Sequence, residues 1–339
     1  MKKVKGLLVL VLSLVALSVS AQADNRKGNI NGILYQLTFN IPENPSDKVS
    51  GQAVITFDLR TKQDVALDFQ GTPGSVTVYK ANKKKAKKAN VKVVNDQIII
   101  PAKMFKAGTT NKVVIDFTSQ EKALSRTGNV VYTQVQADEG RALFPCFDDA
   151  DMRAQFQTNF NAPAGWKFVT VDFSEKLAPA SYLFVAGKFE EKTSDIDGRN
   201  LRVLYSETDP AKVAQVDQVF QEVAKSMKWM EGYTGIGNPY EKECVIYILP
   251  SLELGGLERR GAIALSDKAI FLDKKPSKED LLKRTELIAH ETSHIWFGNI
   301  VGVEEPWAKE LLANFMAAKI TRSQYKKEEG EVNFINTYL

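Results

Sequence analysis

Between Asn29 and Phe117, apolar and polar residues alternate in short runs. Ile33–Ile41, Val49–Leu59, Val65–Phe69, Val76–Lys80, Val91–Val94, Ile98–Ile100 and Val113–Phe117 are rich in β-branched and aromatic residues. Gly, Pro, Asn and Asp fill the gaps between them, so the segment reads as an all-β domain whose strands continue through Phe189. The period changes near Asp209. Asp209-Pro210 can cap and open a helix, and Val213, Val216, Val219, Phe220, Val223 and Met227 then follow at helical spacing over Ala211–Tyr233. Gly235-Ile236-Gly237-Asn238-Pro239 ends that pattern. A strand is expected at Cys244–Leu249, a Gly-rich turn after it, and another strand at Ala262–Leu265. Helices are expected at about Lys278–Asn299 and Trp307–Ile320. These patterns predict an N-terminal all-β domain over 24–207 and a mixed α/β domain over 208–339.

The first 23 residues read differently. Lys2, Lys3 and Lys5 precede an apolar run from Gly6 to Val19, and Ala21-Gln22-Ala23 offers small residues for cleavage. This is the layout of an export signal. The run is short for a membrane span, no stop-transfer pattern follows, and no cysteine sits where a lipoprotein anchor would attach. The mature chain is expected in the periplasm or secreted. Its net charge of +4 is spread thinly. The densest basic run, Lys83-Lys84-Lys85 with Lys87 and Lys88, has no interleaved aromatics and reads as a solvated turn, so no nucleic acid partner is expected. The two cysteines, Cys146 and Cys244, fall in different expected domains and read as separate buried thiols.

Chemistry concentrates in one place. The chain has two histidines, and they stand four apart in His290-Glu291-Thr292-Ser293-His294. On a helix, positions four apart share a face, so both imidazoles can reach one metal ion. Zinc suits nitrogen ligands in a tetrahedral set. Glu291, between them, can approach a water at the metal without ligating the metal, as a general base would. A surface pair of helix histidines is the alternative. The neighbours Leu287, Ile288, Ile295, Trp296 and Phe297 speak for a buried helix instead. Glu310 is the candidate third ligand. It lies early in the Trp307–Ile320 helix, whose apolar character makes an unpaired carboxylate costly. The alternative there is a first-turn Glu favoured by the helix dipole.

Taken together these residues resemble the aminopeptidase N family of gluzincin metallopeptidases. Arg141-Ala-Leu-Phe-Pro-Cys-Phe-Asp148 with Asp151 and Gln155-Phe156, and Tyr182–Phe189, are similar to segments of the family's first β lobe. Gly255-Gly-Leu-Glu-Arg259 resembles the family's G-x-M-E-N signature, with Leu257 and Arg259 as departures. His290–His294 with Trp296-Phe297-Gly298-Asn299 is the most specific match, and Lys309–Phe315 is similar to the segment that carries the third zinc ligand. The resemblance implies a saddle-like N-terminal β domain followed by a thermolysin-like catalytic domain. It implies one zinc per chain, held by His290, His294 and Glu310, with Glu291 catalytic. It also implies peptide substrates with a free N-terminus, whose α-amine is held by Glu258 with Gln136 lining the same pocket.

Two departures bear on this expectation. Fifteen residues separate His294 from Glu310, where the family has eighteen, and Ala313 stands at the family's spacing. The family's oxyanion-stabilising tyrosine lies well beyond its third ligand, and Tyr325 and Tyr338 are too near Glu310 to match it. The resemblance therefore implies a C-terminally truncated chain with an incomplete catalytic domain. The expected function is zinc-dependent aminopeptidase. The alternative is a catalytically impaired member acting as a peptide-binding module.

Overall fold

The computed structural model describes residues 26–82, 85–134, 139–170, 176–238, 244–253, 255–259, 262–303 and 305–325. The export signal and Gln136 lie outside the described residues. The chain forms two compact units, Met1–Ala186 and Gly187–Leu339.

The first unit is built of strands. Its largest sheet has six, in the order Gln155–Asn161, Ile30–Asn40, Ser50–Leu59, Thr109–Thr118, Thr72–Tyr79 and Lys87–Lys88. Alternation in sequence becomes alternation of faces. Tyr35, Leu37 and Phe39 are buried, while Gln36 points outward and bonds to Gln157 on the neighbouring strand. Phe39, Phe144, Phe156, Tyr182 and Phe184 pack their rings together beneath this sheet. A three-stranded sheet (Val65–Asp68, Gln97–Ile100, Lys92–Val94) and a four-stranded one (Lys167–Thr170, Phe184–Gly187, Val130–Thr133, Leu124–Thr127) complete the unit. Part of the lysine run is not a plain turn. Lys87 and Lys88 pair with Val78 and Thr77 as an exposed edge strand, where charge discourages further strand addition.

Among the described residues, the second unit holds a five-stranded sheet and three long helices. The strand order is Glu190–Ile196, Arg199–Tyr205, Cys244–Leu249, Ala262–Ser266 and Gly256–Arg259. Arg199–Tyr205 runs parallel to Cys244–Leu249, so the hairpin before it belongs to this sheet. The division thus falls about twenty residues before the change of period near Asp209. Asp209 accepts the Ala211 amide and opens a single helical turn, Pro210–Val213. Helix α1 follows at Val216–Thr234 and ends on Gly235 in the left-handed conformation. Helix α2 spans Lys278–Ser293 behind a capping box made by Ser277 and Asp280. Helix α3 spans Pro306–Gln324, with the proline in its first turn.

α1 and α2 are joined inside the core by Arg284, which donates to Glu222 at 3.0 Å and to Gln215 at 3.1 Å. α3 buries Ala313, Met316, Ala317 and Ile320 but exposes Trp307, Leu311 and Phe315, so it is apolar without being fully buried. No described helix is long and apolar enough to cross a membrane. Cys146 and Cys244 are both buried, one in each unit.

Candidate metal centre

α2 stops sooner than its apolar pattern suggests. Ile295, Trp296 and Phe297 continue the helical spacing, but the helix ends at Ser293 with His294 as its cap. Beyond it the amides of Asn299, Ile300 and Val301 reach back five residues to the carbonyls of His294, Ile295 and Trp296. This wider turn needs Gly298, whose φ of 128° is hard for any other residue. Trp296 is buried and donates its indole N–H to the Ile236 carbonyl at 2.9 Å, fixing the turn.

The turn also sets the tautomer of His294. Its Nδ1 lies 3.1 Å from the Phe297 carbonyl and donates to it, so Nε2 is the ring nitrogen available to a metal. His290 is held below the ordinary imidazole value, first by burial and then by the neighbouring His294. The two Nε2 atoms face each other 3.1 Å apart, with the rings at 89°.

Glu310 completes a triangle. Its Oε2 lies 3.3 Å from His290 Nε2 and 3.5 Å from His294 Nε2. In a tetrahedral zinc set with bonds of about 2.0–2.2 Å, any two donors are about 3.3–3.5 Å apart. The three donors, 3.1, 3.3 and 3.5 Å apart, come close to that spacing, and they are two imidazoles and a carboxylate, a set zinc accepts. Despite the shortened spacing from His294, Glu310 reaches both imidazoles. Ala313, at the longer spacing, is buried, and its carbonyl lies near Ser293 Oγ. One expectation fails. The Glu310 side chain is 53% exposed, so desolvation in an apolar helix is not what singles it out. Its place just past the first turn of α3, within reach of both imidazoles, is.

Glu291 is buried, and one of its oxygens lies within 4.8 Å of a ring nitrogen of each histidine. It passes close against Gly256 of the neighbouring strand, where a side chain would collide with it. Glu258, on the same edge strand as Gly256, is also buried. Its Oε2 is 4.0 Å from His294 Nε2 and its Oε1 is ion-paired with Lys309. The structure thus brings His290, Glu291, His294, Glu258 and Glu310 together.

Sequence reasoning missed two neighbours. Lys309 is one; nothing in its surroundings in the chain points to a partner 51 residues away. The other is Asn314, whose side chain lies close enough to the His290 ring to favour its protonated form. Its signal was available, since it stands four residues after Glu310 on α3 and so shares its face. Bonds to the ring of a ligating histidine orient it and raise its basicity. Asn314→Ala is expected to weaken zinc binding by about 10–100-fold, measured by competition with a chromogenic chelator.

Comparison with known proteins agrees with this architecture. Residues 219–338 match the Peptidase family M1 domain, and residues 32–170 match the Peptidase M1 N-terminal domain. Leucyl aminopeptidase of Saccharolobus solfataricus is 29% identical over 219 residues, 58% of this chain and 27% of that protein. Aminopeptidase N of Streptomyces lividans is 24% identical over 207 residues, 56% of this chain and 24% of its own length. Endoplasmic reticulum aminopeptidase 2 of Bos taurus is 24% identical over 322 residues, 84% of this chain and 32% of its own. The chain spans between about a quarter and a third of these relatives. With a β unit and a helical unit each matching its counterpart, in the right order, the chain belongs to the M1 peptidases, the aminopeptidase N family of metallopeptidases.

Proposed function

We propose that this chain carries the zinc site and the amine anchor of an exported aminopeptidase that removes N-terminal residues from peptides. The observation that carries the reading is the triangle of His290, His294 and Glu310 donors, with sides of 3.1, 3.3 and 3.5 Å. Zinc held there would act as a Lewis acid on the scissile carbonyl and on water. The remaining work falls to the chain's own carboxylates. Glu291, against the Gly256 backbone, takes the proton of the attacking water and returns it to the leaving amine. Glu258 holds the substrate's α-ammonium beside His294, which fixes the first peptide bond at the site and excludes internal bonds. Gln136 is proposed to line the same pocket. The aminopeptidase names of the relatives support the reaction class. The basic, apolar and small-residue order of residues 1–23 supports export.

Metal analysis of the purified protein tests the proposal. About one zinc per chain is expected, and His294→Ala should lose it. Full occupancy in His294→Ala would remove the site. Glu258→Ala should weaken free-amine peptides more than N-acetylated ones; equal loss on both would point to an endopeptidase.

A further inference from the structure

Two observations at the amine anchor have no part in the mechanism above. The first is that Glu258 is already paired with an ammonium group, that of Lys309. The second is that the route of the Lys309 side chain is built into the backbone. Its stem lies over Gly298, where an added Cβ would come 2.7 Å from Lys309 Cε and 3.4 Å from Cδ. Lys309 also immediately precedes Glu310, so it is carried on the helix turn that supplies the third metal donor. Its side chain remains 25% exposed, which leaves it a way out to solvent.

We infer that Lys309 is an internal competitor for the Glu258 carboxylate, so that a peptide's α-ammonium binds by exchanging places with the lysine ammonium. The inference rests on Glu258 being the amine anchor. An ammonium and a carboxylate in a sheltered site attract strongly. When one ammonium replaces another, most of that attraction cancels and little net affinity remains. A blocked N-terminus carries no charge and does not compete for the carboxylate. Lys309 therefore narrows the difference in affinity between free and blocked N-termini, and acts as a specificity-determining residue.

Binding of leucinamide and N-acetyl-leucinamide to the purified chain, by titration calorimetry with and without added zinc, tests this apart from turnover. Lys309→Met keeps the stem across Gly298 and removes the charge. It is expected to tighten leucinamide by about tenfold or more and to leave N-acetyl-leucinamide within about twofold. Lys309→Arg should bind as the wild type does. Lys309→Gln serves as a second neutral variant, and thermal melts show that each variant is folded. Leucinamide affinity unchanged or weakened in both neutral variants would overturn the inference, because it would make Lys309 a support for Glu258 and not its competitor. Glu258→Gln made in the Lys309→Met background, where no lysine ammonium offsets the anchor, separates the two readings. If it leaves leucinamide binding unchanged, the amine anchor itself is wrong. If it weakens binding while Lys309→Met does not tighten it, the anchor stands and only the competitor falls.

Discussion

Gly256→Ala is expected to keep the metal and lose the chemistry. The glycine's φ is ordinary, so alanine meets no backbone penalty there. Its Cβ, however, would lie 2.6 Å from Glu291 Cγ, 2.5 Å from Cδ, and closer still to Oε1. All three contacts are with the working end of one side chain, so the carboxylate must swing away. None of these three nearest atoms belongs to a histidine or to Glu310. Zinc content should stay near the wild-type value, while kcat for a free-amine substrate falls by about 10²–10⁴, the usual worth of a positioned general base. Glu291→Gln should give a similar loss. If Gly256→Ala turns over at the wild-type rate, either the strand yields or Glu291 is not the base. Glu291→Gln decides between these outcomes.

The second large effect concerns stability. Glu222 and Arg284 are both buried and bonded at 3.0 Å, and they join α1 to the helix that carries both histidines. Glu222→Ala would leave a guanidinium in the core with no carboxylate opposite. Breaking such a pair on one side costs about 3–5 kcal/mol. Chemical denaturation followed by tryptophan fluorescence should show it, since Trp229, Trp296 and Trp307 all lie in the second unit. Replacing both partners with apolar residues (Glu222→Leu with Arg284→Met) should recover most of the loss, because the desolvation of both charges is then avoided. A double variant as unstable as the single one would mean that packing, and not charge, holds the two helices together.

The parts of the molecule that rest on local period were readable in the sequence. Tyr35, Leu37 and Phe39 alternate with polar residues and are buried on one face of a strand. Asp209, Pro210 and Gly235 bracket helical structure as their backbone chemistry demands. His290, Glu291 and His294 were readable because their grouping needs only one helical turn. What depends on distant pairing was not. The hairpin at 190–205 has the same alternation as the strands before it, and only its parallel partner at Cys244–Leu249 assigns it to the second unit. The end of α2 was hidden because apolar residues run on past it, while a wide turn is set by Gly298 and by carbonyls five residues back. The apolar run of α3 suggests a burial that Glu310 does not have, and the Lys309–Glu258 pair crosses from helix to sheet edge with no trace in spacing.

The two buried thiols give the protein its own clock. Cys146 sits in the first unit with its thiol pushed up by burial, and Cys244 opens a central strand of the second. Neither can be alkylated while its surroundings stay closed, because the reagent needs an exposed thiolate. Each sulfur therefore records the opening of its own unit, and no label has to be introduced. Pulse alkylation followed by peptide mass spectrometry would time the two openings separately in one sample. Whether the first unit outlives the second then becomes a ratio of two rates measured on the same molecules.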